Sequence, residues 1–146
     1  MRDAINEIRA LSIAEMERRG KVATGRTMST LSTVVTETPG FVTGELQGES
    51  QWKWVGNGRG PGGMPPIGPI QAWIDAKGLS ISAWAVAKTM ATKGSKDYRN
   101  NAPNVFLSAI EDFEKGQGLQ KLETEVAGHF EEQAVSIALT NLKSRG

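Results

Sequence analysis

The sequence predicts an α+β fold, in which a small antiparallel sheet of about three strands packs against several α-helices. Apolar residues at helical spacing near both ends of the chain predict the helices, including a long C-terminal one. A Thr- and Ser-rich stretch between them predicts the strands. With 146 residues, 38% of them hydrophobic, we expect residues 1–146 to form a single domain.

The first element, over residues 1–20, is predicted to be an amphipathic helix. Ile5, Ile8 and Met16 form part of its apolar stripe, and Gly20 favours a helix end because glycine readily takes the left-handed conformation. Charged residues interrupt the apolar ones throughout the segment. We therefore expect neither a signal peptide nor a membrane span here, and a protein made in the cytosol.

Residues 24–56 are predicted to form the sheet. Pro39-Gly40 is a turn signal between two runs rich in β-branched residues, which predicts a hairpin of Ser32–Thr38 with Phe41–Gln47. The residues just before the hairpin favour either a strand or a short helix.

A third strand is predicted over Gln51–Val55, where Trp52 and Trp54 alternate with other residues. Because neighbouring side chains of a strand point to opposite faces, this spacing places both indoles on one face. That face is predicted to lie either in the core or against a partner.

A Gly- and Pro-rich loop is predicted over residues 57–66, and a helical part over residues 67–143. Apolar spacing places Trp73 and Trp84 at core positions of two successive helices. The predicted elements are a helix from Ile67 to Lys77, a helix capped near Ser80 and ending at Lys93, a polar loop over Ser95–Asn101, a helix with Pro103 in its first turn, and a helix of about Leu119–Lys143 with a wide apolar stripe.

The glycines of the loop match a dinucleotide-binding spacing, because Gly58, Gly60 and Gly63 satisfy G-x-G-x-x-G. Such a site needs a buried parallel strand before the loop and free amide groups after it. Here the preceding segment alternates with polar residues, Pro61 interrupts the turn, and Pro65 lacks an amide donor. We therefore predict no cofactor site, and a flexible loop of low bulk that projects toward a neighbouring chain.

The remaining residues do not predict an enzyme. There is no cysteine and one histidine, His129, which lies within the predicted last helix and is expected to be half-buried or at the surface. The neighbouring carboxylates Glu111 and Asp112 cannot face each other on a helix, so they do not form an acid and base pair. We therefore expect no catalytic residue, no metal site and no cofactor.

Basic residues occur in two local groups, although the formal net charge is only +1. Each group either contacts phosphate or stabilises the C-terminal end of a helix and adds solubility. The first group comprises Arg18, Arg19, Lys21 and Arg26, and the second comprises Lys88, Lys93, Lys96 and Arg99.

The order of these segments resembles a known family. The segments TGRTMSTLS, WKWVGNGRGPGGMPPIGPIQAWIDAKGL and PNVFLSAIEDF follow a charged N-terminal helix. Over about residues 5–113 this arrangement is similar to the head-to-tail joining and tail completion proteins of tailed bacteriophages, and most of all to the group related to the HK97 gene product 10 tail component.

This resemblance implies a structural role in the virion. Family members of this kind form a ring at the neck or the upper end of the tail, expected here as a hexamer or dodecamer. Each face of the ring contacts neighbouring neck and tail proteins, and DNA passes through the lumen without sequence-specific binding. The expected location is the neck or tail of the virion, after assembly in the cytoplasm of the host bacterium, with no membrane partner.

Candidate contact residues follow from the loop and from the second basic group. We expect the loop region to contact a neighbouring subunit because glycine backbone allows close approach. The candidate subunit-interface residues are Trp52, Trp54, Arg59, Gly60, Gly62 and Met64, and the candidate residues facing DNA or a partner are Lys93, Lys96 and Arg99.

Two other functions remain alternatives at this point. One is a small nucleic-acid-binding or regulatory domain that uses the first basic group. The other, weaker one is a nucleotide-dependent enzyme built on GRGPGG.

Overall fold

The computed structural model describes residues 1–22, 25–49 and 52–143. It confirms an α+β fold with a long C-terminal helix. In chain order the elements are α1 (Arg2–Arg18), α2 (Arg26–Ser29), β1 (Ser32–Thr38), β2 (Phe41–Gln47), α3 (Trp52–Asn57), α4 (Ile67–Ala76), α5 (Ala83–Lys93), α6 (Lys96–Arg99), α7 (Val105–Lys115) and α8 (Gly118–Lys143).

The hairpin is confirmed with its predicted bounds. β1 and β2 pair antiparallel with Thr38 opposite Phe41, and Gly40 takes the left-handed conformation of the turn at φ 83°. Helix α1 covers one face of the hairpin. It meets β2 at Gly44, where a Cβ atom would lie 3.1 Å from Sδ of Met1 and 3.4 Å from Cβ of Ile5.

The predicted third strand is wrong, because residues 52–57 form helix α3; Gln51 lies outside the described residues. The two tryptophans consequently face different ways. Trp52 is buried, whereas Trp54 is 45% exposed. Val55 packs against the same core as Trp52, as expected for a spacing of three residues on a helix and not for alternation on a strand.

The predicted helix ends near Gly20 and Lys77 are confirmed, and so is the alternative of a short helix before the hairpin. The amide of Gly20 donates to the carbonyl of Glu17, and that of Lys21 donates to the carbonyl of Met16. This is the Schellman pattern, and Gly20 supplies its left-handed residue at φ 64°. Gly78, at φ 62°, ends α4 with the same pair of hydrogen bonds.

The main core lies where α1, α3 and α7 meet. Met16, Leu31, Trp52 and Val105 form one buried cluster. The Trp52 ring packs against the Phe106 ring with centroids 5.4 Å apart. The residues that the sequence assigns to separate segments therefore share one core.

A polar network fixes the end of α1 against the start of α7. The buried Glu15 carboxylate accepts hydrogen bonds from Nε of Arg18 and Nε of Arg19, each at 2.6 Å. The remaining nitrogens of Arg19 donate to the carbonyl of Pro103 and, at 3.0 Å, to Oγ of Ser108. The Arg18 guanidinium, followed by that of Arg19, lowers the pKa of Glu15 although burial opposes the shift.

Helices α4 and α5 pack against each other, but their tryptophans do not occupy the predicted core positions. Ile74 is buried, whereas Trp73 and Trp84 are 37% and 54% exposed. In α5 the small residues Ala83 and Ala87 face inward instead. The apolar spacing therefore identifies the helices correctly but not the face that the monomer buries.

Three local predictions in this part are corrected. The cap of α5 is Ser82 and not Ser80, since Oγ of Ser82 accepts from the amide of Ala85. The predicted loop after Gly94 contains the short helix α6. Pro103 precedes α7, whose cap is Asn104, because the Asn104 side chain accepts from the amides of the first turn.

Helix α8 has two halves with different environments. In the proximal half, Nζ of Lys121 lies 3.0 Å from Oε2 of Glu7, and Nδ1 of His129 lies 3.8 Å from Oε2 of Glu37 in β1. These contacts attach the helix to α1 and the hairpin. Beyond Phe130 the predicted apolar stripe is largely exposed, including Ile137 at 61%.

Replacing Gly48 with alanine should destabilise the protein. A Cβ atom at Gly48 would overlap the Trp52 indole nitrogen, and we expect the free energy of unfolding to fall by about 2 kcal/mol. Urea denaturation measures the difference. Gly68→Ala in α4, where a Cβ atom meets nothing within 4 Å, is the matched control and should leave stability unchanged or slightly raised; equal effects of the two changes would contradict the prediction.

The Glu15 network should make stability depend on pH. In the folded protein the pKa of Glu15 lies below its ordinary value of 4.5. The contribution of the Glu15 carboxylate to stability is therefore complete above pH 4.5 and is lost as the pH falls through the folded pKa. Glu15→Gln should lower the free energy of unfolding by about 2 kcal/mol at neutral pH. Denaturation at several pH values should show the two proteins converging in acid, whereas a difference independent of pH would disprove the assignment.

Candidate functional site

The glycine loop, defined here as residues 58–63, is fixed to the turn between α5 and α6. The amide of Arg59 donates to Oγ of Ser95 at 2.9 Å, and the amide of Ser95 donates to the carbonyl of Arg59 at 2.7 Å. The amide of Gly62 donates to the carbonyl of Ala91 at 2.8 Å. The expectation of a flexible projection is therefore wrong for this part of the loop.

Steric constraints explain why the loop contains these glycines. Gly58 has φ 76°, and a Cβ atom there would lie 2.6 Å from the amide nitrogen of Tyr98. At Gly60 a Cβ atom would lie 3.2 Å from the Tyr98 ring, and at Gly94 it would lie 2.8 Å from the carbonyl oxygen of Arg59. The glycines allow two backbone segments to pack together, and two loop amides that a phosphate cradle requires already donate within the chain.

The structure separates the predicted interface residues into two groups. Trp52 lies in the core, so it does not present a surface to a partner. Trp54 and Met64 are exposed, at 45% and 47%. Nζ of Lys53 lies 4.6 Å from the centre of the Trp54 ring, and the Arg59 guanidinium lies 6.0 Å from it, which places two cations around one exposed aromatic side chain.

The two predicted basic groups meet at one place in the fold. Nζ of Lys21 lies 2.8 Å from Oδ2 of Asp97 and donates to the carbonyl of Val55. This ion pair joins the end of α1 to α6, which carries Lys96 and Arg99. The side chains of Lys96 and Arg99 are exposed.

A groove lies beside this ion pair, and we call it the α4–α6 groove. Its volume is about 670 Å³. Trp73, Ile81 and Met90 supply apolar surface to it, while Lys96 and Arg99 supply positive charge. Lys93, the third predicted basic residue, is exposed at the end of α5 and does not line the groove.

Most residues of the first basic group form ion pairs within the chain. Arg18 and Arg19 bind Glu15, and Lys21 binds Asp97. The side chain of Arg26 lies outside the described residues. Of the second group, Lys88 lies over the exposed Trp84 ring, with Nζ 4.8 Å from the ring centre.

Sequence reasoning missed the residues that organise this region. Ser95 caps α6 and also binds the glycine loop, and Ile81 and Met90 line the groove. A Ser followed by an acidic residue in the next turn is a helix-start signal that predicts α6. Nothing in the sequence indicates which glycines contact Ser95 and Tyr98, because these contacts join segments more than 30 residues apart.

Within residues 1–22, 25–49 and 52–143, no three His, Asp or Glu side chains are grouped so as to hold a metal ion. None of the helices in these ranges has the length and apolar character needed to cross a membrane. No protein-family model, curated protein or solved structure matches the chain. The resemblance to phage proteins therefore remains a prediction from the sequence segments.

Replacing Gly58 with alanine should disrupt the contact between the loop and the α5–α6 turn. The positive φ and the crowding at Tyr98 act together, so we expect the free energy of unfolding to fall by about 2 kcal/mol or more. Gly63→Ala is the matched control, since a Cβ atom there meets nothing within 4 Å, and it should change stability by less than about 0.5 kcal/mol. Thermal or urea denaturation that shows no difference between the variants would contradict this account of the loop.

Proposed function

We propose that the chain is a structural subunit of a tailed bacteriophage, a neck or tail completion protein that forms a ring joining head and tail around the DNA channel. The observation that carries the proposal is the presence of two separate exposed apolar surfaces on one small domain. One lies on α4 and α5, and the other on the distal half of α8. The sequence resemblance supplies the phage context.

The first surface surrounds the α4–α5 pair. Ile67, Leu79, Ile81 and Trp84 are each more than 40% exposed. Large apolar side chains gathered in one region are typical of a surface that another protein covers. Part of this surface lies on the helix that follows the glycine loop, which belongs to one of the three segments that most resemble phage proteins.

The second surface is on the distal half of α8, where Val135 and Leu139 share one side of the helix and are each more than 50% exposed. A ring requires two different, mutually complementary surfaces on every copy, because each subunit contacts one neighbour with each surface. In an isolated monomer the apolar side chains of both surfaces remain in contact with water, which is unfavourable. The two surfaces on different elements therefore support assembly with ring symmetry.

The electrostatic character of the chain suits a channel through which DNA moves. A net charge of +1 gives no strong overall attraction to phosphate, so DNA is not held in place. The alternative of a nucleic-acid-binding domain has less support, because Arg18, Arg19 and Lys21 pair with carboxylates of the same chain.

Disrupting the gene in the phage or prophage that encodes it should prevent the joining of heads and tails. We expect electron microscopy of the lysate to show DNA-filled heads and separate tails, and infectivity to fall by several orders of magnitude. Supplying the intact gene from a plasmid is the control and should restore joined particles. Normal, infectious particles from the disrupted phage would disprove the proposed function.

A further inference from the structure

One side of α8 beyond Phe130 carries both acidic and aliphatic residues. On its distal half, Glu131, Glu132, Val135 and Leu139 recur at intervals of one, three and four residues and share one side of the helix. We call this side the distal face. All four side chains are exposed, and the face combines two carboxylates with two aliphatic groups.

The α4–α6 groove has the complementary composition. Trp73, Ile81 and Met90 supply apolar surface, and Lys96 and Arg99 supply positive charge. No carboxylate in the described part of the chain forms an ion pair with Lys96 or Arg99; the nearby Asp97 is engaged by Lys21. The two cations of the groove are thus available to an acidic partner, and the apolar floor to aliphatic side chains.

The helix does not reach the groove of its own chain. Its proximal half is attached to α1 and β1 through the Glu7–Lys121 and Glu37–His129 contacts, and the distal face is exposed to solvent. A contact between the face and the groove therefore has to form between two copies.

We infer that the distal face of α8 of one copy docks in the α4–α6 groove of the next copy, with Glu131 and Glu132 against Lys96 and Arg99, and with Val135 and Leu139 against the apolar floor. The inference rests on the proposed function in that it names the contact between successive ring subunits. Face and groove are different surfaces, so the contact is head-to-tail and continues from copy to copy until the ring closes.

This contact changes the expected role of two residues. Lys96 and Arg99 face the neighbouring subunit and not the DNA, which leaves Lys93 as the basic residue of that trio available to the channel. Opposite charges across an interface direct association and fix its register. Self-association should consequently weaken as the salt concentration rises.

Charge reversal on each surface tests the contact with the full-length purified protein. K96E/R99E changes the groove, and E131K/E132K changes the distal face. Each variant alone repels its own copies, so we expect the dissociation constant for self-association to rise on the order of 100-fold. Sedimentation velocity over a range of protein concentrations measures it.

Mixing the two variants gives a stricter test. The acidic groove of K96E/R99E accepts the basic helix of E131K/E132K, and the unchanged groove of the latter accepts the unchanged helix of the former. An equimolar mixture should therefore associate as the wild type does, in alternating order. The chain that carries all four reversals should also self-associate.

Control variants separate the specific contact from a general effect of charge. K93E/K115E and E111K/E114K make the same changes of net charge at exposed positions outside the groove and the distal face, and both should self-associate like the wild type. Circular dichroism and thermal denaturation of every variant verify that it is folded.

Three outcomes would overturn the inference. The first is a wild-type chain that remains monomeric at its highest soluble concentration, and the second is a pair of single-surface variants that associate normally. The third is loss of association that mixing does not restore, which would indicate another occupant of the groove. Failure of the proposed function is distinguishable, because it shows as normal particles after gene disruption whatever the purified protein does.

Discussion

The placement of α1 against α7 depends on a buried carboxylate and the arginines that neutralise it. Glu15 is 6% exposed, and a carboxylate at that depth is tolerated only when positive charge and hydrogen bonds surround it. Arg19 satisfies this requirement and also binds the carbonyl of Pro103 and the hydroxyl of Ser108. One side chain thereby sets both the position of the last turn of α1 and the start of α7.

The rest of the structure extends from this junction. Met16, on the same turn of α1, enters the core beside Trp52 and Val105, and Gly20 then turns the chain so that Lys21 reaches Asp97. This ion pair fixes α6 relative to the end of α1. Ser95, the cap of α6, in turn binds the glycine loop. The core, the groove and the loop are therefore three consequences of a single helix junction.

Local patterns predicted most of the elements, because helix stops and hairpin turns depend on neighbouring residues. Pro39-Gly40 and Gly20 behave as their local chemistry dictates. The segment after Gln51 was mispredicted because alternating tryptophans fit a strand as well as a short helix, and the difference is decided by the distant partners Met16 and Val105. The exposure of Trp73 and Trp84 was mispredicted because periodicity shows that a helix has an apolar face, and not whether the monomer or an assembly covers it. The candidate site combines residues from α4, α5 and α6 with the segment that follows α1, so only the separate basic groups could be recognised in advance.

The attachment of α8 has a mechanical consequence. Its last described contact to the hairpin is at His129, and the 14 residues from Phe130 to Lys143 continue the helix, a length of about 20 Å at 1.5 Å per residue. A tilt of about 10° at the attachment would move the far end by about 3.5 Å. Small adjustments of the hairpin against α1 would thus be amplified at the tip of the helix, and an assembly that uses this tip could vary its diameter without repacking any core.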